Sequence, residues 1–535
     1  MIGASVAMLA APVQDPIQAP AVDLIAVMPV MIVLGAACVG VLAEAVLPRR
    51  GRYPVQLVVT FGAILAAGIW TIVGGVNGHY ALTFNGAIAV DSGTYVMWGV
   101  VLVLALVSTA VMADRVTEPG GAFAAQAAAR IGSSRDRVAT EVATPMQTEV
   151  FPLVLFAVGG MLVFPAASDL LTLFVALEVL SLPLYLMCGL ARRRRLISQE
   201  AAVKYFLLGA FTSAILLYGI ALLYGYAGSI RFSAISQASQ TGGSSDALLL
   251  IGIALLTVGL LFKGSVGPFH LWTPDVYQGA PTPVTGFMAA CTKAAAFAAM
   301  LRVFLTALQP MAWSWRPVLW VVAALSMLIG AVLGITQTDM KRMLAYSSVA
   351  HAGFLLLGIM ALSEKGASAT MFYLVTYGFA TLGGFALLTL VRRGDNEAAH
   401  LSDWAGLGKR SPLLAGLMTF FLLSFAGIPL TAGFIGKLDV FSAAMDAGLG
   451  ALVVIAMIAT AITAFFYLRV VVLMYFADGP AGRTVPDGSD GSTYIVVPGI
   501  LTTLVIAVCA ALTLLLGILP SPALDLLTIH LPLLS

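Results

Sequence analysis

LTLFVALEVLSLPLYLM, residues 171–187, sets a single carboxylate, Glu178, inside an otherwise uncharged apolar run. At about 1.5 Å of rise per helical residue, Glu178 lies roughly 15 Å from the end of its segment. That is near the middle of a hydrocarbon layer about 30 Å thick. A charge at that depth costs about 3 kcal/mol on insertion scales. The chain places cations to match it. It has only seven lysines, and four of them (Lys204, Lys263, Lys293, Lys437) interrupt apolar runs. Nearly all twenty arginines instead fall at segment ends or in loops. Groups with movable protons lie within the apolar segments, and fixed charges lie outside them.

Composition supports the membrane reading. The 535 residues are 60% hydrophobic and 10% charged, with a mean hydropathy of +1.00. A soluble domain of this length carries roughly a quarter charged residues. Cys38, Cys188, Cys291 and Cys509 are isolated, without the spacing of a metal or iron–sulfur site, so neither disulfides nor metals are expected. The first twenty residues lack a basic region and read as a tail rather than a cleaved signal.

Long apolar segments number about fourteen: near 21–47, 54–75, 92–113, 150–167, 168–190, 199–228, 247–266, 282–308, 314–336, 340–361, 367–391, 411–434, 448–476 and 493–519. The predicted fold is an all-α polytopic membrane protein. Its longest polar stretch, 114–149, reads as a surface insertion whose four arginines are balanced by five acids. No soluble part is large enough for a nucleotide or flavin, and no phosphate-binding glycine motif follows a strand. Placing the N-terminus outside puts eighteen loop cations in the cytoplasm, among them Arg49, Arg50, Arg52, Arg192 to Arg195, Lys341, Arg342, Arg392, Arg393, Lys409 and Arg410. Arg231, Arg302, Arg316 and Lys365 remain outside. The positive-inside rule therefore predicts a multi-pass chain with both termini on the outer face.

Segments seven (TVGLLFKGSVGPFHLW, 257–272) and twelve (LLSFAGIPLTAGFIGK, 422–437) carry glycine and proline mid-run. Such breaks free backbone groups that lipid cannot satisfy, so they face protein or a hydrated cavity. Paired breaks five helices apart suggest two repeats with an ion path between them. Residues 1–149 would hold helices one to three and the polar insertion. The first repeat would be 150–308, the second 309–476, and 477–535 a loop with helix fourteen.

Lys263 sits at the first break and Lys437 just past the second. Away from water a lysine favours its neutral form and a glutamate its protonated form, while each near the other favours charge. A pair of this kind can hold or release a proton when a partner moves. Its bland counterpart is an ion pair that only locks packing. Four lysines and one glutamate, two of them beside breaks, favour transport. His270 (PFHLW) and His351 (AYSSVAHAGF, beside Ser347 and Ser348) titrate near neutrality and can pass protons between ring nitrogens. Lys204 is close enough to a segment end to snorkel. Tyr373 and Tyr377 can supply hydroxyls but are more often packing residues, and TDMKR (338–342) reads as topology.

At FKGSVGPFHLWTPDVYQGAPTPVTGFMAACTK (262–293) the chain resembles the antiporter-like membrane subunits of proton-pumping NADH:quinone oxidoreductase (respiratory complex I) and of multi-subunit cation/proton antiporters. TDMKRMLAYSSVAHAGF (338–354), PLTAGFIGKLDVF (429–441) and ALEVLSLPLYLM (176–187) resemble the same family in the same order, over about 150 to 475. Members of the M type have a glutamate where Lys437 stands. L-type members continue into a lateral helix, whereas here the sequence stops soon after helix fourteen. AAVKYFLLGAFTSA (201–214) is similar to the N type.

The resemblance implies fourteen helices, two inverted five-helix repeats, broken helices seven and twelve, and a central hydrophilic axis. It makes Glu178 and Lys263 a coupled pair, Lys293 the central relay and Lys437 the terminal group, with Lys204, His270 and His351 in support. It also implies no cofactor in this chain. FMN, iron–sulfur clusters and quinone would reside with partner subunits of complex I, whose redox energy would drive protons along this row. The alternatives are a subunit of a multi-subunit Na⁺/H⁺ antiporter, an L- or M-type subunit, or a membrane scaffold.

Overall fold

The computed structural model describes residues 22–117, 121–124, 147–394, 396–478 and 493–534. The N-terminal tail, most of the 114–149 insertion and Arg483 lie outside the described residues. Among the described residues, twelve helices are long and apolar enough to cross a membrane. Two shorter apolar helices, Val150–Ala166 and Pro412–Ala426, complete fourteen spans. Helices dominate because each satisfies its own backbone polar groups where lipid offers none.

Numbered in chain order, span 4 is Val150–Ala166, span 5 Leu170–Cys188, span 6 Arg195–Ala227, span 8 Thr282–Leu305 and span 9 Ala312–Thr336. Span 10 is Met340–Met360, span 11 Glu364–Leu388, span 13 Gly450–Phe476 and span 14 Ile500–Ile518. Span 7 is broken into Asp246–Lys263 and Trp272–Gly279, and span 12 into Pro412–Ala426 and Ala432–Asp446. Spans 8, 10 and 11 have 100%, 94% and 94% of the residues in their most apolar stretch buried, the mark of helices that see protein all round. The remaining spans surround them, with apolar residues such as Leu171, Val175 and Leu182 facing outward. Strands are few. A hairpin pairs Ala81–Thr83 with Ile88–Val90, and a small sheet has the order Asn396–Glu397, Val391–Arg393, Thr493–Ile495.

A recurring start motif relates the two five-helix sets, spans 4–8 and 9–13. Asp169 caps span 5 by accepting the Thr172 amide at 2.6 Å, and Asp339 caps span 10 by accepting the Arg342 amide at 3.1 Å. The first residue of each span then donates its amide to the strand-like segment past the next helix: Leu170 to Ile230 O at 3.0 Å, Met340 to Ala399 O at 2.8 Å. The return bonds match as well, Phe232 N to Ser168 O and Leu401 N to Thr338 O. Five crossings per set put these two motifs on opposite faces, so the repeats are inverted. Lys341, Arg342, Arg392 and Arg393 lie at the second motif, with Arg192 to Arg195 on the same side, and that side is called the arginine-rich face below.

Candidate functional site

The interior polar row begins at the first break. Helix geometry ends at Lys263, where Ser265 takes a positive φ of 60° and the freed Phe262 carbonyl accepts the Trp272 indole at 3.0 Å. The buried Lys263 ammonium donates to Ser181 Oγ at 2.7 Å and to the Tyr205 hydroxyl at 3.1 Å. Glu178 accepts a hydrogen bond from Ser213 and, among the described residues, makes no ion pair. Glu178 and Lys263 therefore make no direct contact: each is held by a serine, and the carboxylate acts on the ammonium across the gap between them. Ser181, Ser213 and Lys263 line a cavity of about 10 Å³ between them, room for roughly one water.

Lys293 occupies the centre. It follows a π-helical turn, Met288–Thr292, inside span 8, a local widening often found at functional positions. Its ammonium donates to the Ser348 carbonyl at 2.5 Å and to the Ser348 hydroxyl, and it stands 5.4 Å from the centre of the Tyr377 ring.

His351 follows on the same helix as Ser348. Its Nδ1 is 2.6 Å from the Tyr373 hydroxyl and its Nε2 3.3 Å from that of Tyr467, which also bonds Ser347. Phe354 and Phe425 pack against the imidazole at 5.5 and 6.0 Å. Lys437 lies beyond them, its ammonium 5.2 Å from the Phe354 ring. At the second break the chain turns through Gly427 at a φ of +79°, and Phe425 and Ala426 offer their freed carbonyls to Lys437 at 2.8 and 3.2 Å. A side chain at 427 would suffer twice, from φ and from Lys437 Cδ 3.0 Å from its Cβ.

Between Lys263 and Lys293 the link is aromatic. Tyr205 stacks on Trp272 at 4.6 Å and 13°, Trp272 meets Tyr277 edge-on at 6.4 Å, and Tyr277 reaches Ser348. Among the described residues no charged group lies on that bridge, which is built of rings and hydroxyls.

Two expected members sit elsewhere. Lys204 is at the arginine-rich rim, 43% exposed, paired with Glu200 at 2.7 Å and Asp275 at 2.8 Å. His270 is buried past the first break, 6.0 Å from the Tyr346 ring, and its Nδ1 has no hydrogen-bond partner among the described residues. Sequence reasoning missed Ser181, Tyr205, Ser213 and Tyr467, and weighed Tyr373 and Tyr377 as sources of hydroxyls but favoured packing. It also read Lys341 as a loop charge, whereas Lys341 is buried and pairs with Glu397 at 2.9 Å. On the opposite face, Arg302 is buried and clamps Asp91 through two hydrogen bonds of 3.0 and 2.8 Å. Burial raises the Asp91 carboxyl, but Arg302 and Thr94 outweigh it and hold it below the ordinary carboxylate range. Among the described residues no group of three or more His, Cys, Asp or Glu side chains is placed to hold a metal ion.

Residues 167–463 match the family described as NADH:quinone oxidoreductase/Mrp antiporter, TM. A Saccharopolyspora erythraea protein named NADH-quinone oxidoreductase subunit N is 56% identical over 512 residues, covering 95% of this chain and 98% of that protein. A Mycobacterium tuberculosis protein of the same name is 50% identical over 529 residues, with coverages of 95% and 98%. Among solved structures, a chain of respiratory complex I from Thermus thermophilus with bound aureothin superposes with a TM-score of 0.73 at 32% identity. That match covers 93% of this chain and 99% of the other. A chain of the Mrp complex from Dietzia sp. has a TM-score of 0.75 at 23% identity, covering 94% and 96%, and so shares the fold.

Proposed function

We propose a function from one premise: the chain belongs to the NADH:quinone oxidoreductase/Mrp antiporter membrane family and, within it, to the subunit N members of NADH-quinone oxidoreductase. It is a proton-translocating membrane subunit of that oxidoreductase in the bacterial inner membrane. It assembles with the membrane and peripheral subunits of complex I. The arginine-rich face is cytoplasmic and both termini lie outside, following the loop charges. Flavin, iron–sulfur clusters and quinone belong to partner subunits, and their redox energy is coupled here to proton movement.

The row Glu178, Lys263, Lys293, His351 and Lys437 carries the protons, with Lys204 and His270 flanking it. The observation that carries this reading is the contact chain on the buried spans: Lys293 to Ser348, His351 to two tyrosine hydroxyls, and Lys437 against the ring that packs on His351. A purely structural row would not need three amines held by hydroxyls and carbonyls in place of carboxylates. Lys263 and Lys293 can give up a proton and stay hydrogen-bonded, because the serine and tyrosine hydroxyls beside them donate as well as accept, and a neutral Lys437 amine can still donate to its two carbonyls. The scale suits the task, since moving one charge across 100 mV takes about 2.3 kcal/mol.

Lys263→Met or Glu178→Gln in the assembled oxidoreductase should lower proton translocation per NADH oxidised, with the chain still inserted and assembled. Vesicle acidification measured beside NADH oxidation reads this directly. Wild-type stoichiometry in both variants would remove the relay.

A further inference from the structure

An ion pair outside the relay lies on the arginine-rich face. Lys341 and Glu397 are 2.9 Å apart, with side chains 6% and 19% exposed. Thr282, the first residue of span 8, donates its hydroxyl to the same carboxylate oxygen, and Lys341 also donates to Ala280 O at 3.3 Å. The carboxylate therefore touches the start of the helix that carries Lys293 and the start of the helix that carries His351.

Two cavities meet at Glu397. The outer one, about 40 Å³, is lined by Arg193, Arg194, Gln278, Thr282, Lys341 and Glu397 among others. The deeper one, about 20 Å³, is lined by Asp114, Thr117, Thr389, Thr502 and Glu397 among others. At roughly 10–15 Å³ per water, these hold a few waters and one water. Arg392 borders both. From the deeper cavity one face of span 11 leads inward at four-residue spacing: Thr389, Phe385, Thr381, Tyr377. Thr381 Oγ1 is buried without a well-formed hydrogen bond and lies beside the Tyr377 hydroxyl. The Tyr377 ring is 5.4 Å from the Lys293 ammonium. Only Phe385, packed on Gly286 of span 8, interrupts the hydroxyls.

We propose that Glu397 takes up protons from water at the arginine-rich face and delivers them to Lys293 along the hydroxyls of Thr389, Thr381 and Tyr377, with Phe385 as the one dry step. The proposal rests on the relay reading, in which Lys293 is the central group. A hydronium in the outer cavity gives one proton to the carboxylate, and Lys341 is released. The resulting acid passes a proton to water in the deeper cavity. Each hydroxyl then accepts one proton and gives one, and the neutral amine of Lys293 takes the last. At rest Glu397 is a carboxylate: burial raises its carboxyl, but Lys341, Arg392 and Thr282 together hold it below the ordinary range. Asp114 faces it across the deeper cavity.

The test uses the assembled oxidoreductase in sealed vesicles, with NADH oxidation and acidification recorded together. Glu397→Gln should slow proton delivery on the order of 100-fold, the usual worth of a positioned proton acceptor. Glu397→Asp should restore most of it. Phe385→Ala in the Glu397→Gln background should restore part, by admitting water to Thr381. A carboxylate that only locks the hairpin would show no rescue by Phe385→Ala, and that result overturns the proposal. Lys293→Met separates the two readings. If it abolishes translocation while Glu397→Gln pumps normally, the uptake route fails and the relay stands. If Lys293→Met itself pumps normally, the relay is at fault. Should Glu397→Gln not assemble, Thr381→Val is the second variant: slowed transfer with a larger solvent deuterium effect supports the route, and wild-type behaviour overturns it.

Discussion

Spans 5 and 10 are the same element used in two ways. Counted from their capping aspartates, Glu178 and Ser348 occupy one position, nine residues past Asp169 and Asp339, and Ser181 and His351 occupy another, twelve past. In the first repeat the pair is a carboxylate and a hydroxyl; in the second it is a hydroxyl and an imidazole. Their surroundings differ in the same sense. Glu178 shares a helix face with Leu171, Val175 and Leu182, which are about half exposed, so its carboxylate borders whatever packs on that side. His351 is sealed by Tyr373, Tyr377, Tyr467, Phe354 and Phe425. The first site is open on one side to whatever covers Leu171, Val175 and Leu182. The second is set by this chain alone.

The comparison breaks most sharply at the twelfth position. His351→Gln keeps a hydrogen-bonding side chain but removes the titratable proton, and should slow translocation on the order of 100-fold with assembly intact. Ser181→Ala at the matched position removes one hydrogen bond to Lys263, worth about 0.5–1.5 kcal/mol, and should slow it less than about tenfold. Acidification rates of the two variants at equal NADH oxidation decide this. Equal losses would mean that imidazole and hydroxyl do the same job, and the asymmetry would go.

A smaller effect sharpens the claim about neighbours. A hydrophobic carbodiimide reaches carboxyls that border apolar surroundings, so it should modify Glu178 in the isolated, detergent-purified chain. In the assembled complex the modification should fall several-fold as a partner covers Leu171, Val175 and Leu182. Peptide mass spectrometry after labelling quantifies both states. Equal labelling before and after assembly would leave Glu178 facing lipid.

Much of this was legible in the sequence, for a physical reason. A lysine inside twenty apolar residues is costly enough to stand out, and so are glycine and proline in the middle of a span, so Glu178, Lys263, Lys293, Lys437 and both breaks announce themselves. Fourteen spans follow from backbone satisfaction in lipid. Hydroxyls carry no such signal: Tyr205, Tyr373 and Tyr467 fit an apolar stripe as well as phenylalanine would, and only their partners give them a role. Lys341 and Glu397 were hidden by position. One residue of an interfacial TDMKR run and one of a loop hairpin meet only after span 11 returns beside span 10. The repeat showed only through its paired breaks; the matching backbone hydrogen bonds around Asp169 and Asp339, which relate the two halves directly, leave no mark in the sequence.

Lys204 gives the smallest expected effect and fixes the boundary of the row. Its place near a segment end already set it apart from the other three lysines, and its ammonium stands at the rim between Glu200 and Asp275, both also open to water, with side chains 61% and 32% exposed. Exposed ion pairs are worth about 0–1 kcal/mol, and water replaces their hydrogen bonds when one partner is removed. Arg342 holds Asp275 independently at 2.6 Å, so the second half of span 7 keeps an anchor without Lys204. Lys204→Ala should therefore change translocation by less than about fivefold, the factor that 1 kcal/mol allows. Lys263→Ala, four turns into buried surroundings, should abolish it. A loss in Lys204→Ala as large as in Lys263→Ala would extend the proton row to the rim and make Asp275 part of its mouth.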